Sequence, residues 1–249
     1  MTIAATERSM GTLAPVPDDG KTYKIPTLRD VYQARKVLQT FLPRTPMLRS
    51  AVLAERLGFD LFLKYENLQP IGAFKIRGGI YLLSQMSPED RALGLYTAST
   101  GNHGQSIAYA AREFGAKATI FAPEGANPVK VAAMKRLGAE VVFYGPDFDT
   151  ARKEAENRAQ RDGAHFIHSA NVPELIAGVA TCSLEMLEDV PDLEQTHPEV
   201  AVRRVVGDGL EQPRQERRPQ DGLFAHERIC QHQRVVVEPG TFEILRRVE

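Results

Sequence analysis

Two short segments of this sequence hold residues whose types and spacing suit covalent chemistry. The first runs from Lys64 to Gly79, K-Y-E-N-L-Q-P-I-G-A-F-K-I-R-G-G, where a strand-like run ends at a Pro/Gly turn and Lys75 falls at the start of the next helix. An amine condenses with an aldehyde only while unprotonated, and a lysine with the reference pKa of about 10.4 is neutral roughly once in a thousand at pH 7. Phe74 and Ile76 flank Lys75 and supply desolvation, while the positive end of the helix disfavours the ammonium. Both effects lower the pKa. The same placement also suits a solvated lysine at a helix start, so spacing alone leaves both readings open.

The second segment, Thr97 to Gly104 (T-A-S-T-G-N-H-G), joins a strand to a helix. Backbone N–H groups at a helix start lack intrahelical partners and can hold an anion. Ser99, Thr100 and Asn102 add neutral donors at the carboxyl end of a parallel strand, the usual ligand position in an open α/β sheet. Ser, Thr, Gly and Asn are also favoured in caps and turns for purely local reasons. His103 suits packing or hydrogen bonding as well as acid–base work, and no chemistry is assigned to it.

The elements that must position these segments alternate. From about Thr27 onward, short β-like runs and helical patterns are separated by Gly, Pro, Asn or Asp, as in a parallel α/β sheet. Helices are expected at Leu28–Phe41 and Ala51–Leu57, and a strand at Leu61–Tyr65. A strand at Gly94–Ala98 feeds the Ser99–Gly104 loop, and the helix behind it sets Ile107, Ala110, Ala111 and Phe114 on one face. Strand–helix units then repeat as Ala118–Ala122 with Val129–Leu137, Glu140–Tyr144 with Thr150–Arg161, and His165–His168 with Glu174–Leu187. In the last helix Ile176, Val179, Ala180, Leu184 and Leu187 form an apolar stripe, and another strand should follow.

The string from Glu66 to Gly79 resembles the lysine motif of the threonine dehydratase, serine dehydratase and serine racemase group, commonly E-x-x-Q-x-T-G-S-F-K-I-R-G-A. The spacing to S-T-G-N-H-G-Q also fits. Ala126–Lys130, Leu137–Val142 (L-G-A-E-V-V) and Leu175–Thr181 (L-I-A-G-V-A-T) resemble later landmarks of the same fold-type II family, so the likeness covers about Thr45 to Asp192. It implies a tryptophan synthase β-like α/β fold of two open twisted parallel sheets flanked by helices. The domains expected are a loose tail at 1–20, a large cofactor-binding domain from 21–93 plus 170–194, a small α/β domain at 94–169, and a divergent or disordered tail at 195–249.

The resemblance further implies pyridoxal 5'-phosphate held as a Schiff base on Lys75, which also moves the substrate α-proton. Phe74 would line the cofactor, Asn102 would hydrogen-bond its ring hydroxyl, and Ser99, Thr100, Gly101, Asn102 and His103 would face the substrate. The implied reaction converts L-threonine or L-serine to a 2-oxo acid and ammonia. Serine racemase and other β-eliminating or β-replacing chemistries are alternatives, because Ala73 stands where the family commonly has serine and Thr100 where it has a second serine.

A third departure lies further on. The family carries a glycine-rich loop that wraps the cofactor phosphate shortly after the position of Asp192, and only Val205–Leu210 (V-V-G-D-G-L) echoes it, with an aspartate that would repel phosphate. Beyond about Glu194 lysine disappears, and Glu211–Asp221 is polar without periodicity. A shift of reading frame near Glu194 accounts for the change and leaves the large domain incomplete. The competing expectation is therefore a non-catalytic remnant that folds its small domain and binds little.

Bulk properties add constraints. At 249 residues, 43% hydrophobic and 25% charged, with a formal net charge of -1, the chain reads as an ordinary globular protein without bulk attraction to nucleic acid or anionic membrane. No apolar run approaches the roughly 20 residues that span a bilayer. Cys182 and Cys230 are too few for a disulfide framework and too isolated for a zinc site, so no metal is expected and the reading is cytoplasmic. The expected partner is a small amino acid, with a homodimer as an open alternative to a monomer.

Overall fold

The computed structural model describes residues 25–193, 195–197, 200–203, 234–238 and 241–245. The expected tail at 1–20, the Val205–Leu210 echo and Glu211–Asp221 lie outside them.

Local rules account for most element boundaries. Helix α1 (Leu28–Leu38) starts at a capping box between Thr27 and Asp30, and it buries Val31, Ala34 and Leu38 on one face. Strand β1 (Met47–Arg49) leads to α2 (Ala51–Leu57), which Ser50 caps and Gly58 ends in the left-handed region, where a side chain would be strained. Strand β2 (Asp60–Lys64), a single 3-10 turn at Glu66–Leu68 and helix α3 (Ile76–Gln85) then carry the lysine segment, with Lys75 as the N-cap of α3.

After the short α4 (Pro88–Ala92), four strand–helix steps follow in sequence. They are β3 (Leu95–Ala98) with α5 (Asn102–Glu113), β4 (Ala118–Ala122) with α6 (Pro128–Arg136), β5 (Glu140–Phe143) with α7 (Phe148–Asp162), and β6 (His165–Phe166) with α8 (Pro173–Asp189). The strands β5-β4-β3-β6 form one sheet, parallel at every pairing, as the alternating pattern predicts. Ile107, Ala110 and Ala111 of α5 pack with Ile120, Leu95 and Met134 beneath this sheet.

The second sheet departs from the expectation of two parallel sheets. Its order is β1-β2-β8-β7-β9-β10, with β7 (Gln195–His197), β8 (Val200–Arg203), β9 (Arg234–Glu238) and β10 (Thr241–Leu245), and every pairing is antiparallel. Two-residue links join β7 to β8 and β9 to β10, and a link that short can only reverse the chain, whereas parallel neighbours need a long crossover. The strand anticipated after α8 is β7, and β8 closes onto β2 from Asp60↔Arg203 to Leu63↔Val200. Helix α8 is buried on all sides from Leu175 to Met186 rather than along one stripe, because α1, α3 and β7 all pack on it.

Candidate functional site

Lys75 and the Ser99–Gly104 loop, 24 residues apart at their nearest in sequence, meet where α3 and α5 pack side by side. Ser106, one turn into α5, makes the join: its Oγ donates to the Lys75 carbonyl at 2.5 Å and accepts the Gly79 N–H at 3.2 Å. There is no space for a larger group. A Cβ on Gly79 would stand 2.4 Å from Ser106 Oγ, and one on Gly178 of α8 would stand 2.6 Å from the Arg77 carbonyl. Glycines at these two positions let α3 lie against α5 and α8 at backbone distance. Lys75 itself is half-buried, with Nζ 5.8 Å from the centroid of the buried Phe74 ring.

A buried polar cluster fixes the first turn of α3. The Arg77 guanidinium donates from Nε and Nη2 to the two oxygens of Glu66 at 2.8 Å each, from Nη1 and Nη2 to those of Glu185 at 2.8 and 3.0 Å, and from Nη1 to Thr181 Oγ1 at 3.1 Å. Lys64 Nζ lies 2.7 Å from Glu185 Oε2 and donates to the Thr45 carbonyl at 2.8 Å, while Thr45 Oγ1 donates to Glu66 Oε1 at 2.6 Å. Two cations thus face two carboxylates, and the exposures of the four side chains are 2% for Arg77, 0% for Glu66, 0% for Lys64 and 8% for Glu185. Burial pulls the Arg77 pKa down, but the bonds to Glu66 and Glu185 outweigh it and hold the guanidinium above its usual value. Burial likewise pushes the Glu185 carboxyl up, yet Arg77 and then Lys64 bring it below the ordinary range. Such a cluster is costly to break from one side, because the surviving partner is left charged and dry.

The loop residues divide by role. Ser99 is buried, and its Oγ accepts the N–H groups of Gly101 at 3.1 Å and Gly104 at 2.8 Å, so this hydroxyl shapes the loop and caps α5 from within. Thr100 is exposed, and Gly101 and Asn102 are half-buried at the helix start. Asn102 Oδ1 accepts from Lys130 Nζ of α6 at 3.0 Å. An ammonium only donates, so the amide oxygen must face Lys130 and the two Nδ2 hydrogens point elsewhere.

His103 is neutral. Burial, the nearby Lys75 charge and His168 push its pKa down to about 3. Thr97 Oγ1 spends its one proton on the Ile167 carbonyl at 2.7 Å, so the 2.9 Å contact with His103 Nε2 has the ring nitrogen as donor. His103 therefore carries its proton on Nε2 and presents Nδ1 as an acceptor. On the α5 face that holds Asn102, Gln105 is 94% buried, and its Nε2 finds no hydrogen-bond partner among the described residues. Among the described residues no group of His, Cys, Asp and Glu is placed to hold a metal ion, and no helix is long and apolar enough to cross a membrane.

The residues flagged in the sequence thus lie at two neighbouring helix starts, Phe74 and Lys75 at that of α3 and Thr100, Gly101, Asn102 and His103 at that of α5, while the Ser99 side chain turns into its own loop. Lys64, Glu66, Arg77, Ser106, Lys130 and Glu185 escaped the sequence reading. Glu66 and Arg77 lie inside the lysine motif, and the signal overlooked was their charge: an acid and a base flanking an apolar run that must be buried. Glu185 has no such signal, since it lies 108 residues from its partner.

The site suits the reactive end of an aldehyde cofactor: an amine at the start of one helix beside the start of another, where the Asn102 amide is oriented by Lys130. The family model described as pyridoxal-phosphate dependent enzyme matches residues 38–209. An L-threonine ammonia-lyase of Thermotoga maritima is 42% identical over 184 residues, 74% of this chain and 45% of the relative. A serine racemase of Schizosaccharomyces pombe is 36% identical over 170 residues, 68% of this chain and 53% of the relative. Among solved structures, maize serine racemase aligns with a TM-score of 0.65 at 30% identity, over 69% of this chain and 52% of that one. The chain spans about half the length of these relatives. With the family model covering most of its length and the lysine, the loop and their helices set as described, the chain belongs to the pyridoxal-phosphate-dependent enzymes.

Proposed function

We propose that this chain carries the reactive half of an ammonia-lyase acting on L-threonine or L-serine, releasing a 2-oxo acid and ammonia. The observation that supports it best is the Ser106 bridge, which ties the Lys75 backbone to the helix whose start presents Asn102. Lys75 Nζ would hold the cofactor and take the substrate α-proton, which asks that its amine be unprotonated and held still. When bound, pyridoxal phosphate supplies an electron sink for the carbanion, and the protein supplies orientation. Asn102, with its Oδ1 on Lys130, would offer Nδ2 as a donor to hold the bound cofactor. Thr100 and the Gly101 backbone bind the substrate carboxylate at the positive end of α5, with Ser99 holding the loop in shape. His103 keeps the proton of Nε2 on Thr97 and adds no charge. Phe74 limits water on the Lys75 side.

Residues 94–169 form the small domain in this reading, and 21–93 with 170–194 form part of the large one. The enzyme works on amino acids in the cytoplasm. A racemase reading draws support from the likeness to serine racemases. The two share the α-proton step and part at loss of the β-hydroxyl. The test is the purified full chain incubated with pyridoxal phosphate, reduced with borohydride and digested. A pyridoxyl adduct on the Lys75 peptide, absent in Lys75→Ala, together with ammonia release from threonine, is the expected result. An adduct without ammonia supports the impaired remnant, D-serine from L-serine supports the racemase, and no adduct on Lys75 refutes the assignment.

A further inference from the structure

The geometry points to Lys130 as a positioning residue: its ammonium fixes the orientation of the Asn102 side-chain amide and thereby aims the Nδ2 donors at the cofactor. This inference rests on the reading above for what Asn102 meets, but its geometry stands on the chain alone. Lys130 sits in the first turn of α6 and is half-buried; α6 begins at Pro128, with Asn127 Oδ1 accepting the Val129 and Lys130 N–H groups at 2.9 and 3.4 Å. That cap fixes where the Lys130 backbone lies, and helix α6 packs on α5. From there Nζ reaches Asn102 Oδ1 at 3.0 Å. A primary amide can present either end, and turning it over costs little in water. Beside a donor-only cation the turned-over form would set two N–H hydrogens against an ammonium, so one orientation prevails.

Because Lys130 acts only through Asn102, its effect must vanish when Asn102 does. Cofactor affinity of the full chain is measured by titrating pyridoxal phosphate and following the visible band. Lys130→Met and Asn102→Ala are each expected to weaken binding about tenfold, the loss of roughly one charge-assisted hydrogen bond, and the double variant no further. Lys130→Arg, which also only donates, is expected to restore most of the affinity. Asn102→Asp keeps an oxygen for Lys130 but has no N–H, so it is expected to bind as poorly as Asn102→Ala. A double variant near a hundredfold weaker would mean that Lys130 contacts the cofactor directly and would overturn the proposal. A second readout needs no cofactor. In the apo chain the Asn102 side-chain amide resonances are expected to shift in Lys130→Met and to stay near their place in Lys130→Arg. Unmoved resonances in Lys130→Met refute the inference, whatever the cofactor titration shows. Failure of the unmodified chain to form an adduct on Lys75 refutes the lyase reading instead.

Discussion

Replacing Arg77 by methionine removes five hydrogen bonds at once and leaves the buried Glu66 carboxylate with only the Thr45 hydroxyl and Glu185 with Lys64. Methionine has similar length and flexibility, so the space is largely refilled and the change is chiefly one of charge. Breaking a buried ion pair from one side costs about 3–5 kcal/mol. A domain of ordinary stability holds about 5–15 kcal/mol, so the variant should fold with a strongly lowered denaturant midpoint. The pH dependence identifies the cause. In the native chain the Glu185 pKa is depressed, so its contribution is present at neutral pH and lost as pH falls through the carboxylate range. In the variant both carboxyls lose the guanidinium and Glu66 is left without a cation; protonation relieves the unpaired charge, and the penalty grows as pH rises. The gap between Arg77→Met and the native chain should therefore be wider at pH 8 than at pH 5, and Glu66→Gln added to Arg77→Met should recover part of it. Urea unfolding of all three chains at both pH values measures this. A cost below about 1 kcal/mol that does not change with pH would refute the reasoning.

Three further outcomes follow. His103 is held neutral in the fold, so the unfolded chain takes up a proton that the folded chain refuses. Stability should then fall by about 1.4 kcal/mol per pH unit as pH drops from about 6 towards 4, and His103→Gln should remove that slope in urea titrations. Gly178→Ala places a Cβ 2.6 Å from the Arg77 carbonyl and 2.8 Å from Gly78 Cα, both backbone atoms, so overpacking should cost about 1–3 kcal/mol in thermal or urea unfolding. Ser106→Ala leaves the Lys75 carbonyl and the Gly79 N–H without their shared partner. It should cost about 1–3 kcal/mol and reduce the yield of pyridoxyl-Lys75 after borohydride, read by peptide mass spectrometry.

What the sequence reveals of this fold follows from how local each cause is. Helix α2 occupies Ala51–Leu57 as expected, held between Ser50 and Gly58, and β4 occupies Ala118–Ala122 as its apolar run requires, because caps and short strands depend on a few adjacent residues. The antiparallel sheet was not legible: the partner of β2 is β8, more than 130 residues away, and an apolar run such as Leu61–Leu63 looks the same in either sense of pairing. Burial around α8 was half legible. Its apolar residues promised one face, but the covering of another depends on Phe62 of β2 and on Leu193 packing against Cys182 and Met186.

The site divides along the same line. Lys75, Asn102 and the loop stand out because their residue types are unusual where they fall, while the groups that hold them look ordinary in sequence: a serine in a helix, a lysine in a first turn, a glutamate in a long helix. Their work is visible only as geometry. Arg77 and Lys75 lie two residues apart at the start of one helix, so they leave it in different directions. One turns inward and is neutralised by Glu66 and Glu185, and the other stays half-buried beside the loop. Within the cluster Arg77 and Lys64 face Glu66 and Glu185, with the more exposed Asp189 4.0 Å from Lys64, so the start of the helix is anchored by charges that pair with one another. An extra uncompensated acid there would favour the ammonium and oppose the condensation proposed for Lys75. For that reason the balance of the Arg77 cluster, as much as the position of Lys75, would govern the nucleophilicity that the proposed reaction asks of this lysine.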